Sequence, residues 1–214
     1  TKTFQRAFSP ITVDVDLSKD VVKDASDFIN AVGLLTTEKT MGTSFVFSLK
    51  NNYILTTSHV VEDADEFSFI MHSGEFRTNA VLVWNDYLTD MAILQVDELP
   101  ETAKMFVIDT DVDKDPETLE EIIHCGYIKG ENISKKFNTF SDRISCYEPD
   151  KQINNSHFDT IMSSINAAEG CSGGPVFRSR DMKVIGILQG GFSEGGTRII
   201  TDIHQLFKLG ILNN

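Results

Sequence analysis

Between residues 42 and 96 the chain repeats one pattern: a short apolar stretch alternating with period two, then a polar turn. The stretches are 42–48, 53–56, 66–72, 75–84 and 91–96, with Lys50-Asn51-Asn52 and Ser73-Gly74 as tight turns. Successive side chains of a strand point to opposite faces, so this alternation gives one buried face and one wet face. Short strands at such spacing suggest a closed antiparallel barrel.

The flanks read differently. Ile11, Val13 and Val15 alternate in an N-terminal arm or edge strand. From Leu17 the period lengthens, and Val21, Val22, Ala25, Phe28, Ile29 and Val32 fall at helical spacing. Ser18 as N-cap and Gly33 as stop predict a packing helix there. Residues 202–209, ended by Gly210, predict a terminal helix that packs through Ile203, Leu206 and Phe207. Between them, Asp109, Asp111, Asp113, Asp115, Glu117, Glu120 and Glu121 stand against a single Lys114. Their spacing mimics a calcium loop, but the turn position holds Lys114 instead of glycine and Pro116 breaks the pattern. The reading is a solvated acidic linker over 109–121, with no metal and no cofactor.

The net charge of −13 would repel nucleic acid and anionic membranes, so neither is expected as a partner. No apolar run reaches the roughly 18 residues that a membrane-spanning helix needs. Cys125, Cys146 and Cys171 cannot all pair within the chain, and their spacing is not that of a zinc site. An unpaired thiol and the lack of a leader lean towards a cytoplasmic, reducing setting. Thr1 in place of methionine reads as a processed or truncated start, which leaves room for a signal or further domain to have been removed.

The chemistry centres on Gly170-Cys171-Ser172-Gly173-Gly174-Pro175. Glycines on both sides of Ser172 allow a turn that aims successive backbone N–H groups at one point. The Gly170 and Ser172 amides can then receive the oxyanion formed when the Ser172 hydroxyl attacks a carbonyl. Serine needs a base and a group that orients the base. Upstream, Thr56-Thr57-Ser58-His59-Val60-Val61 ends an apolar strand with a histidine, and Thr89-Asp90-Met91-Ala92-Ile93-Leu94 opens another with an aspartate. Asp86 competes with Asp90 for the orienting role, and His72, His124, His157 and His204 read as structural.

In these three segments, and in their chain order His, Asp, Ser, the sequence resembles the chymotrypsin-type serine proteases, closest to the bacterial HtrA-type branch. The resemblance covers most of residues 33–209. It implies an all-β fold of two six-stranded antiparallel barrels, with an N-terminal and a C-terminal helix. The expected organisation is arm and helix over 1–32, first barrel over 33–108, linker over 109–121 and second barrel with its helix over 122–214. Strands of the second barrel are expected at 122–127, 144–147, 160–166, 184–189 and 198–201, with polar loops at 129–143 and 148–158. No room remains after the terminal helix for the PDZ domain common in HtrA proteins. The implied activity is peptide-bond hydrolysis by His59, Asp90 and Ser172 through an acyl-enzyme, on a protein or peptide substrate. The implied specificity pocket comprises Asn166, Glu169, Gln189, Gly190, Gly191 and Arg198.

Two departures from trypsin follow from the residues. Cys171 stands where trypsin-like zymogens place the aspartate that pairs with a new N-terminus. Activation by N-terminal insertion is therefore not expected, and loop ordering, a regulatory partner or an oligomer takes its place. Asn166 stands where trypsin reads a basic side chain with an aspartate, so small, aliphatic or, if Arg198 faces inward, acidic residues are open. The rival reading is a catalytically silent protease fold used as a binding or sensor module. An α/β-hydrolase esterase is excluded by the order of its triad.

Overall fold

The computed structural model describes residues 11–130, 137–153, 155–192 and 196–214. Ten residues of the expected arm, 1–10, and residues 131–136 of the expected 129–143 loop lie outside them. The first barrel comprises β2 (Val32–Thr37), β3 (Met41–Ser48), β4 (Tyr53–Thr56), β5 (Phe67–Met71), β6 (Phe76–Asp86) and β7 (Met91–Val96). It closes in the order β2-β3-β4-β7-β6-β5, with every pair antiparallel. The second comprises β8 (Glu121–Tyr127), β9 (Phe137–Ile153), β10 (Ser156–Ser163), β11 (Pro175–Arg178), β12 (Val184–Phe192) and β13 (Arg198–Asp202). It closes in the order β10-β13-β12-β11-β8-β9, again antiparallel throughout.

Alternation explains the interiors. Along β6, Thr78 and Ala80 are buried while Arg77, Asn79 and Val81 are exposed. Leu35, Val46, Ile54, Phe69 and Leu94 fill the first barrel, and Ile122, Ile144, Ile161, Val176 and Ile200 the second. A third cluster seals the seam between barrels, where the Phe177 ring meets Phe28 at 5.1 Å and Phe106 at 4.8 Å between centroids. The two chain ends meet in a short parallel pair of β1 (Val13–Asp14) with β14 (Leu212–Asn213).

Several expected elements have other bounds. The N-terminal helix contracts to one 3-10 segment, Ala25–Asn30, capped by Asp24 and not by Ser18. Asp24 accepts from Ser26 N while Asp27 reaches back to Asp24 N, so the cap forms six residues later than expected. Val32 and Gly33 belong to β2, because their pairing with Phe45 and Ser44 of β3 outweighs the helical spacing of the residues before them. The polar stretches taken as loops are largely strand: β9 runs for 17 residues and forms a hairpin with β10. Its side chains are mostly exposed, so hydropathy marks only the expected 144–147 stretch around buried Ile144, and backbone pairing to β8 and β10 defines the rest. The short β11, beside the serine loop, is also unforeseen. The terminal helix is one turn, α2 (Gln205–Lys208).

The acidic linker is not solvated at its start. Asp109 is 3% exposed and accepts from Arg178 Nη2 and His204 Nε2, both at 2.7 Å. Burial alone would raise its pKa, but these two partners outweigh it and hold the carboxyl at about 2. A carboxyl depressed in the folded state contributes stability above its unfolded pKa of 3.8, lost as pH falls towards 2. Asp109→Ala is expected to destabilise the fold by about 3 kcal/mol, the low end for breaking a buried pair, because Asp181 still holds Arg178. Urea denaturation at pH 7 measures this.

Candidate active site

His59 lies on α1 (Ser58–Val61), a single helical turn after β4 and not the strand end expected. Ser58, Val60 and Val61 are buried, the two valines in the first barrel's core, and that anchoring leaves the His59 side chain 41% exposed to the cleft. Asp90, just before β7, has φ +55, a left-handed conformation rare outside glycine. Its carboxylate accounts for the strain. Oδ1 accepts from His59 N at 2.9 Å and Oδ2 meets His59 Nδ1 at 2.9 Å. The competing Asp86 turns elsewhere, accepting from the Thr89 hydroxyl at 2.6 Å.

A carboxylate only accepts hydrogen bonds, so Nδ1 of His59 carries the proton and Nε2 of the neutral ring keeps a bare lone pair. Burial opposes protonation of this ring. The Asp90 hydrogen bond and charge, with Glu62 nearby, outweigh that and raise its pKa above the ordinary 6.5. His59, Asp90, Ser58, Glu62, Tyr87 and Gln189 line a cleft of about 200 Å³ with the tip of the β9–β10 hairpin. Ser156 Oγ and His157 N from that hairpin bond the carbonyls of Tyr87 and Leu88, strapping the second barrel to the first beside the cleft.

Ser172 sits in the turn before β11. Cys171 N donates to Ala168 O at 3.1 Å and Gly174 N to Cys171 O at 3.0 Å. Gly170 has φ +99, and a Cβ there would lie 2.5 Å from Tyr127 O, so only glycine fits this turn. Glu169 O accepts from Lys129 N at 2.7 Å. In a trans peptide the carbonyl and the following N–H point opposite ways, so the Gly170 N–H is directed away from Lys129. Cys171 is fully buried in the second barrel's core, its thiol pushed up from 9.0 by burial. No hydrogen bond joins His59 to Ser172 Oγ among the described residues. The hydroxyl instead rests against Gly190, where a Cβ would collide with it.

The remaining expected residues flank this turn. Asn166 and Glu169 are exposed, and Glu169 pairs with Lys129 at 2.9 Å. Gln189 folds back to accept from Gly191 N at 2.8 Å. Arg198 faces inward, its guanidinium reaching the carbonyl oxygens of Ala167 and Gly190.

Thr43, a residue the sequence reading passed over, ties the barrels together here. Its N–H donates to Ser172 O at 2.8 Å, its hydroxyl donates to Gly170 O at 2.8 Å, and that hydroxyl accepts from Tyr127 N at 3.0 Å. It lies on β3 in the first barrel and holds the serine turn of the second. Its only sequence signal is a hydroxyl on an apolar strand.

Among the described residues no cluster of His, Cys, Asp or Glu could hold a metal ion, and no helix is long and apolar enough to cross a membrane. Known proteins share the fold and the family. The serine protease Do-like HtrA of Bacillus subtilis (strain 168) is 29% identical over 157 residues, 71% of this chain and 33% of that protein. The serine endoprotease DegS of Salmonella typhimurium is 27% identical over 143 residues, 66% of this chain and 37% of that one. The chain thus spans about a third of the length of these curated relatives. Among solved structures, the HtrA-type protease AlgW with tripeptide superimposes with a TM-score of 0.71 at 24% identity, over 86% of this chain and 60% of that one. A family model described as the trypsin-like peptidase domain matches residues 42–187. That span runs from the strand holding Thr43 past Ser172, and by it the chain belongs to the trypsin-like peptidase domain family.

Proposed function

We propose that this chain is a serine endopeptidase in which Ser172 is the nucleophile, His59 its general base and acid, and Asp90 the residue that orients His59. The observation that carries the reading is the double contact of Asp90 with His59, which leaves Nε2 as the proton acceptor. As the Ser172 oxygen bonds to the substrate carbonyl, its proton passes to Nε2, and the positive ring is stabilised by Asp90. The oxyanion is received by the Gly170 and Ser172 amides; neither has a backbone acceptor in its turn. His59 then protonates the leaving amine, and water repeats the sequence to release the acid.

The hydroxyl must first swing from Gly190 towards His59. Catalytic hydrogen bonds are often long in ligand-free enzymes and tighten with substrate. The same observation supports a second reading, a fold held silent until a partner or oligomer reorders the Gln189–Gly191 segment. Digesting a proteome-derived peptide library with wild type and Ser172→Ala separates the two. Cleavage by wild type alone supports the peptidase. No cleavage by either, together with no labelling of Ser172 by a fluorophosphonate, supports the silent module.

Thr43 is a positioning residue in this scheme. Thr43→Val removes the hydroxyl that donates to Gly170 O and accepts from Tyr127 N in the core, an expected cost of about 1–3 kcal/mol. A small shift of the serine turn is expected to lower kcat by about a hundredfold with little change in KM. Thermal melting and steady-state kinetics on one peptide measure both.

A further inference from the structure

Two residues that line the cleft of about 200 Å³ beside His59, Glu62 and Asp90, carry carboxyl groups. No lysine or arginine stands among its described lining residues. The two carboxylates are not equivalent. Both oxygens of Asp90 are taken by His59, at 2.9 Å each. Glu62, half-buried at the end of the α1 turn, gives its N–H to Ser58 O, but its carboxylate makes no hydrogen bond or ion pair among the described residues. Burial, together with the charges of Asp63 and Asp90, raises its pKa above the ordinary 4.5, and His59 alone acts the other way. Each of those causes penalises an isolated negative charge, so a cation entering the cleft relieves it. His59 cannot be that cation in the competent enzyme, because it serves as a base only while neutral.

The place of the cleft makes it a seat for a substrate side chain. It is bounded by His59 and by Gln189, the residue before the Gly190 on which Ser172 Oγ rests. A side chain in it therefore belongs to a residue close to the scissile bond. Tyr87 and Ile153 offer apolar wall to a methylene stem, as long cationic side chains require. We infer that this cleft selects a lysine or arginine beside the cleaved bond, and that Glu62 is the specificity-determining residue that binds its charged head group. This rests on Ser172 being the nucleophile and His59 its base. An acidic side chain would meet two like charges there, and an aliphatic one would strip water from Glu62 without replacing it. The net charge of −13 also draws basic segments towards the chain as a whole.

The test uses fluorogenic peptides that carry Lys, Arg, Ala or Glu in turn at each residue flanking the cleaved bond, with fluorophosphonate labelling of Ser172 run alongside. At one of these positions wild type is expected to cleave the Lys and Arg peptides with a kcat/KM about tenfold above Ala, and the Glu peptide least. The Lys-to-Ala ratio within each variant is the quantity read, because Glu62 also acts on the charge of His59 and so shifts absolute rates. Glu62→Gln keeps the shape without the charge and should bring that ratio to within about twofold of one. Glu62→Lys should invert it, with Glu cleaved faster than Lys at the same position. If one variant does not fold, the other decides. Cleavage of basic peptides no faster than Ala at every position by wild type overturns the inference. So does a basic preference that survives in Glu62→Gln, which would place its source elsewhere. Labelling of Ser172 without basic preference sinks this inference alone. Absence of labelling and of all cleavage sinks the proposed function, and this with it.

Discussion

Ser172→Ala is expected to abolish both peptide hydrolysis and fluorophosphonate labelling, while Cys171→Ser keeps most of each. Loss of a serine nucleophile in a comparable triad costs about a millionfold in kcat, so turnover should fall to background. The neighbouring cysteine invites confusion, since a thiolate is intrinsically the better nucleophile. Burial decides against it. Cys171 is 0% exposed, packs with Val176 and Leu188, and has its thiol pushed up, not down as a reactive cysteine requires. A Cβ on Gly126 would meet its Sγ at 3.0 Å, so no substrate carbonyl can approach that atom. A serine hydroxyl in the same apolar setting costs about 1–3 kcal/mol of stability, so rates should be normalised to folded protein. Retained turnover in Ser172→Ala with loss in Cys171→Ser would falsify the assignment.

Of the strands that sequence located, β6 has one wet and one dry face, whereas β3, β4 and β7 are short apolar runs buried almost throughout and bounded by turn residues. Alternation is visible only where burial differs between faces. Only the 144–147 part of β9 was legible because most of its side chains are exposed on both faces, and β2 was missed because its Val32 completed a helical pattern begun by Val22 and Phe28. His59, Asp90 and Ser172 were legible because their spacing and order carry chemistry. The side chains of His59 and Asp90 do meet; the seating of Ser172 Oγ against Gly190 had no sequence signal. Thr43 was invisible for a related reason. Its partners, Gly170, Tyr127 and Ser172, lie 84 to 129 positions away, in the other barrel. Asp109 misled because charge composition says nothing of a buried arginine and histidine supplied by β11 and the C-terminal turn.

Asp90→Asn is expected to lower kcat by about ten-thousandfold with the fold intact, a loss of the size seen when a triad histidine is held in the wrong tautomer. The geometry dictates which tautomer. His59 N donates to Oδ1, so an asparagine must keep its carbonyl oxygen there and turn its NH2 towards Nδ1. Nδ1 then has to accept, the ring proton moves to Nε2, and that atom can no longer take the proton of Ser172. The pH profile provides a second readout. Wild-type activity should fall as acid protonates His59, through a pKa raised above 6.5 chiefly by Asp90 against the opposing effect of burial. Without Asp90 that limb should move to lower pH, with Glu62 alone left to oppose burial. Asp86→Asn is the control: its carboxylate serves Thr89, and its rate should stay within a few fold of wild type. An Asp90→Asn enzyme within tenfold of wild type, or one with an unmoved acid limb, would remove Asp90 from the mechanism.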